Sequence, residues 1–136
     1  MGAVSEIERA LEIRLATISG LPDIAWPNIS YEPKPNTLYL RPNNLPVRPM
    51  RIGISDSDEY RRDGFFQVDV FAPINKGKKA ALDQAELINT LFNKGTVITT
   101  TSGYKIKISS VTVESGQPTG TYYAVPVLIQ YVAITP

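Results

Sequence analysis

The stretch GFFQVDVFAPINKGKKAALDQAELINTLF, from Gly64 to Phe92, decides how the chain is read. Phe66, Val68 and Val70 point one way and Gln67 and Asp69 the other, the period-two signature of a strand over residues 65–72. A basic loop, Ile74–Lys79, follows. From about Lys79 to Asn93 the period changes: Ala81, Ala85, Ile88 and Phe92 share one helical face, widened by Leu82, Leu87 and Leu91. Lys94 and Gly95 supply a cation and a glycine to close that helix. Strand, Gly-Lys loop, helix is also the order of a phosphate-binding loop, which needs Gly-x4-Gly-Lys-Ser/Thr. Gly77-Lys78 matches the second half, but the first glycine is replaced by Ala72 and the magnesium-holding hydroxyl by Lys79. A strand–helix connection with solvated lysines is the better reading. A small nucleotide- or phosphate-binding protein, or an enzyme using Lys78 and Asp69, remains the alternative from another class.

Outward from this stretch, Ile7, Leu11, Leu15 and Ile18 recur at helical steps, which predicts a helix over residues 5–18. Ser5 and Glu8 have capping-box spacing at its start, and Gly20 before Leu21-Pro22 stops it. Seven of the eleven prolines then fall between positions 22 and 49. Proline removes a donor and fixes φ, so helix is excluded there. Extended pieces at Ile24–Tyr31 and Thr37–Arg41 are expected as edge or irregular strands. Trp26, Tyr31, Leu38, Tyr39 and Leu40 argue against a disordered linker. Val47–Ile54 reads as a strand, hairpinned through the polar Ser55–Gly64 to the strand at 65–72. Three more strands, Thr96–Thr101, Tyr104–Val113 and Tyr122–Ile134, are rich in Val, Ile, Thr and Tyr. Gly103 and the stretch GQPTG (116–120) supply their turns. Short turns make those strands antiparallel. The expected fold is therefore α+β: a mainly antiparallel sheet with two helices packed on one face, in a single domain over 1–136.

Composition narrows the chemistry. The chain has 136 residues, 43% hydrophobic and 20% charged, with net charge +1. That suits a folded domain with its own core and gives no broad pull toward nucleic acid or anionic membrane. There is no Cys and no His. Disulfides, thiolate nucleophiles, Ser-His triads and the commonest metal ligand are all removed, and a reducing compartment is expected. Glu6, Glu8 and Glu12 make the N-terminus unlike a signal peptide. No apolar run approaches the roughly 20 residues of a membrane span.

Other clusters have simpler readings. Asp56, Asp58 and Glu59 suggest a calcium loop, but counting from Asp56 the sixth position is Arg61 and the twelfth Gln67, where glycine and a carboxylate are needed. A mixed-charge solvated loop fits better, with Arg61 and Arg62 beside the acids. Lys105 and Lys107 alternate with Ile106 and Ile108, as on a strand with one wet face. Asp69 has no second carboxylate placed beside it for acid–base work. The last strand is apolar on both sides: Val125, Val127, Ile129 and Tyr131 on one, Leu128, Val132 and Ile134 on the other. Such a strand is either central in a covered sheet or covered by another subunit. Pro126 favours a bulge or an edge.

Taken in order, the helix EIERALEIRLATI, the segment IAWPNISYEPKPNTLYLRPNNLPV, the opening stretch and the closing YYAVPVLIQYVAI resemble the tail terminator (tail completion) proteins of long-tailed bacteriophages and prophages, of the lambda-like minor tail type. The likeness spans about Ile7 to Ile134. It implies a structural protein, not an enzyme, with no catalytic residue, cofactor or metal to carry over. It implies a ring, usually a hexamer, that caps the tail tube, ends its polymerisation and presents a surface to the head connector. The expected partners are further copies of the chain, the tail tube protein and the head connector protein, with DNA sliding through the lumen without specific binding. The expected location is the bacterial host cytoplasm during assembly, then the virion tail. A neck adaptor bridging portal and tail is the second reading. Candidate contact residues are Asp56, Asp58, Glu59, Arg61 and Arg62 at the hairpin tip, and Lys76, Lys78 and Lys79 before the second helix.

Overall fold

A computed structural model of the chain describes residues 2–18, 22–34, 36–47, 50–51, 60–74 and 77–135. In chain order the elements are α1 (Ala3–Leu15), β1 (Asp23–Ile24), β2 (Tyr39–Pro46), β3 (Met50–Arg51), β4 (Tyr60–Pro73), α2 (Lys79–Leu91), β5 (Val97–Thr99), β6 (Lys105–Val113), β7 (Gln117–Thr119) and β8 (Tyr122–Thr135). One sheet runs β1-β2-β4-β8-β6-β5, with β3 also along β4 and β7 along β8. Among the described residues β1 and β2 are parallel and the other neighbours antiparallel. The fold is α+β, as the sequence predicts.

The alternation at 65–72 sets the core. Phe66, Val68, Val70 and Ala72 are buried, and β8 answers with Val125, Val127, Ile129 and Tyr131. Ile7, Leu11 and Leu15 of α1, and Ala81, Ala85 and Ile88 of α2, close over the same face in one cluster. Both helices therefore lie on one side of the sheet. Each large apolar side chain buried there contributes about 1.5–3 kcal/mol relative to exposure. The helices are also tied to each other. Arg14 Nε donates to Leu91 O at 2.9 Å, placing a cation on the last helical carbonyl of α2, where the helix dipole favours it.

Several boundaries differ from the sequence reading. Helix α1 begins at Ala3 with Gly2 as its cap and no side-chain capping bond, so Ser5 lies inside the helix. Strand β1 stops at Ile24, because a turn closes from Ile29 N–H to Trp26 O with Asn28 at φ +57. Strand β2 continues through Pro42 to Pro46, beyond the expected end at Arg41. Ala25 N–H donates to Leu40 O at 2.7 Å, so the backbone groups of Leu40 point away from β4. Strand alternation gives Pro42 and Pro46 the same direction, and their missing N–H groups fall on the sheet edge, where no ladder bond is lost. Residues 60–64 of the expected polar loop are strand, and β3 pairs with them through Met50↔Arg61. Residues 52–54 of the expected strand lie outside the described residues. Part of the GQPTG turn is itself a short strand, β7.

Pro126 sits in the central strand β8, neither at an edge nor at a bulge of that strand. It pairs with Asp69 of β4, and its carbonyl accepts from Glu114 N–H at 2.9 Å on the other side. Its absent N–H thus faces the gap where the chain leaves β6 after Val113 and has not yet entered β7 at Gln117. The sheet is interrupted where the proline has nothing to donate.

Candidate functional site

The candidate contact residues do not form one site. Arg61 and Arg62 lie at the start of β4, whereas Lys78 and Lys79 lie beyond its far end, at the start of α2. Fourteen strand residues at about 3.3 Å each separate the two groups by roughly 40 Å. Asp56, Asp58, Glu59 and Lys76 lie outside the described residues.

At the first end, the two arginines play different parts. Arg61 Nε meets Asp63 Oδ1 at 2.9 Å on the surface, a pair contributing at most about 1 kcal/mol. Arg62 is half-buried, donates from Nε to Thr135 Oγ1 at 2.7 Å, and lies 5.9 Å from the Tyr60 ring centre. Beside Arg62 is a cavity of about 270 Å³ lined by Val4, Ile7, Asn44, Pro46, Val47 and Tyr131, among others. Its polar groups form a relay: Tyr131 OH donates to Asn44 Oδ1 at 2.8 Å, and Asn44 Nδ2 donates to Glu8 Oε1 at 3.2 Å. Burial raises the Tyr131 phenol above its usual value, against the lowering effect of the bond to Asn44. Of its lining, Val47 is 47% exposed. Outside the cavity, Met50 of β3 and Ile134 of β8 both pair with Arg61 and are 62% and 38% exposed. The sequence reading passed over Val47 and Met50 as ordinary strand residues. The available signal was two large apolar residues bracketing Pro49 in a stretch that proline keeps from being a regular buried strand.

At the second end, Lys79 Nζ pairs with Asp83 Oδ2 at 2.8 Å, one turn along α2. That hydrogen bond raises the Lys79 amine above its usual value. Lys78 is exposed at the helix start, and Gly77 turns the chain at φ +73.

The sheet face opposite the helices holds the remaining polar candidates. Gln67 Nε2 donates to Asp69 Oδ1 at 2.8 Å. A groove of about 540 Å³ runs beside them, walled by Trp26 to Tyr31 and by Arg41 to Asn43. Tyr31, Tyr39, Phe71 and Tyr122 pack ring against ring at one end of this face. Farther along, Phe65, Leu128 and Val132 are half-exposed. Among the described residues, no group of three or more acids converges to hold a metal ion. No helix of the described residues is long and apolar enough to cross a membrane.

Fold and surface together describe an α+β domain whose distinctive features are exposed apolar side chains, charged ends and sheet edges. The family comparison gives that class a place. The chain belongs to the phage tail terminator protein family, whose model matches residues 6–131. A solved structure 24% identical in sequence superposes with a TM-score of 0.76, covering 98% of this chain and 96% of its own. At that identity the likeness shows the fold alone. No curated protein matches. Membership makes the chain a structural component of a phage tail.

Proposed function

We propose that the chain caps the end of the tail tube as a ring of copies, stops tube polymerisation and presents the surface to which the head connector joins. The observation that carries this reading is the sheet face away from the helices. In a tail terminator family member, no described helix covers Phe65, Leu128 and Val132 there, and Ile134 is exposed. Apolar surface of that kind is what a neighbouring protein covers. Further support comes from the two ends of the sheet, Arg61 and Arg62 at one and Lys78 and Lys79 at the other. A ring on a tube has two unlike partners, tube protein below and connector above, and charges fix register at such contacts. The near-neutral net charge suits a lumen through which DNA slides without sticking. Assembly takes place in the bacterial host cytoplasm, and the ring stays in the virion tail.

Particles made without this chain test the reading under the electron microscope. Over-long tubes are the expected result. Finished tails of normal length, lying unattached beside filled heads, would assign the chain instead to the neck as an adaptor.

A further inference from the structure

The two long edges of the sheet are not alike. On β2, the backbone groups of Pro42, Asn44 and Pro46 face outward, by alternation from the Ala25 N–H to Leu40 O bond. This edge offers three carbonyls but only one N–H, that of Asn44. A groove walled by Trp26 to Tyr31 runs beside Arg41 to Asn43, so the length clear of it runs over residues 43–46, with two of those carbonyls, of Asn44 and Pro46, and the one N–H.

On the opposite edge, Ile108 N–H donates to Thr96 O at 2.9 Å and Ile108 O accepts from Gly95 N–H at 2.8 Å. The β5 segment therefore covers β6 as far as Ile108. A bulge between Ile108 and Ser110 then resets the phase. Glu114 N–H aims at Pro126 of β8, so Thr112 and Ser110 face β8 as well, and Val111 and Val113 turn their N–H and C=O outward. Val113 is 36% exposed. No strand among the described residues pairs with 109–113 on that side. Such an edge is a template for strand addition.

We propose that β6 of one copy pairs, antiparallel, with β2 of the next copy, so that the sheets of neighbouring subunits join edge to edge. The proposal rests on the ring reading above. Its partner is chosen by complementarity. A donor-poor edge cannot pair well with itself, but it can accept from Val111 and Val113. Two unlike surfaces that fit each other make a head-to-tail contact, the kind that closes into a ring. Direction agrees: β2, β4, β8 and β6 alternate throughout, so β6 beside the next β2 continues the pattern and keeps every helix layer on one side. The covered parts agree too. Strand β5 closes the N-terminal half of β6, and β1 closes the N-terminal end of β2. Antiparallel pairing places these two covers at opposite ends of the joint, where they do not collide.

The test uses the full chain added to tail tubes made without it, with tube ends scored by electron microscopy. Val113→Pro and Val111→Pro each delete one outward N–H while leaving the ladder with β8 intact. Each is expected to raise the concentration needed for capping by about tenfold or more, with the melting transition retained. Val113→Ala and Val111→Ala, which keep the N–H, are each expected to lose far less capping than the proline variant at the same position. Because the chain has no cysteine, Thr112→Cys combined in turn with Arg41→Cys, Asn43→Cys or Leu45→Cys is expected to give disulfide-linked multimers on capped tubes for at least one pair. Rings that form normally with both proline variants overturn the joint, as does equal loss with the alanine variants. Rings that form with no cross-link from any of the three pairs overturn β2 as the partner. A parent chain that forms no ring refutes the ring reading itself and removes the joint with it.

Discussion

Gly64 is a position where one added carbon is costly to this fold. It lies in ordinary strand backbone within β4, paired with Pro46 and Tyr131, so an alanine there meets no conformational penalty. A Cβ would, however, stand 2.4 Å from Tyr131 Oη and 2.6 Å from Cζ. Tyr131 cannot step aside cheaply: it is buried, and its hydroxyl is held by Asn44 at 2.8 Å. Forcing the ring over costs about 1–3 kcal/mol of overpacking. Loss of the Asn44 bond adds about 0.5–1.5 kcal/mol. The better strand behaviour of alanine offsets about 0.5–1 kcal/mol. Gly64→Ala should therefore destabilise by about 0.5–4 kcal/mol, seen in urea unfolding as a lower midpoint at unchanged slope. For a domain of this size that is a fall of roughly 2–16 °C in Tm. In a Tyr131→Leu background, where the ring tip is gone, the added methyl should cost far less. A penalty below about 0.5 kcal/mol in the parent, or the full penalty in the Leu background, would refute the clash as the cause.

Three further outcomes are expected. Glu6, 3% exposed, accepts the Ser102 N–H at 2.8 Å through Oε1. Glu6→Ala should cost about 1–3 kcal/mol in denaturant unfolding by orphaning that donor, and Glu6→Gln, which keeps an acceptor, should stay within about 1 kcal/mol of the parent. The Tyr131 phenol, raised above its usual 10.0 mainly by burial, stabilises the fold fully below pH 10, and that contribution declines as pH rises past 10 toward the folded-state value. Stability measured from pH 8 to 11 should fall less steeply in Tyr131→Phe. Arg62→Ala should lower stability by about 1–3 kcal/mol through its bond to the buried Thr135 hydroxyl, whereas Arg61→Ala, which breaks a surface pair, should cost at most about 1 kcal/mol. Equal costs for the two arginines would contradict their assigned surroundings.

The parts of the fold that follow from periodicity were legible in the sequence. Phe66, Val68 and Val70 announce one face of β4, and Ile7, Leu11 and Leu15 announce the buried stripe of α1, because side-chain period is a local property. What depends on distant partners was not. Ser5 and Glu8 have the spacing of a cap, yet Glu6 is the acid that matters, since it reaches a turn 96 residues away. Proline in a strand is allowed or forbidden by which side its nitrogen faces. That parity is fixed by the neighbour, so neither β2 through Pro42 and Pro46 nor Pro126 in a central strand could be placed from sequence. Charge was legible at once, since Arg61 and Lys79 stand out as letters. The neighbourhood of Met50, Arg61 and Ile134 exists only once β3, β4 and β8 lie side by side.

The pairing of β4 with β8 has a mechanical consequence. The two strands share fourteen antiparallel pairs from Tyr60↔Thr135 to Pro73↔Tyr122, and they link one end of the molecule to the other. A pull applied along their length loads all the rungs at once, in shear. A pull across one end would open them one at a time. The molecule is stiffest along that direction, and single-molecule stretching between residues 60 and 122 should require several times the force needed between residues 60 and 135.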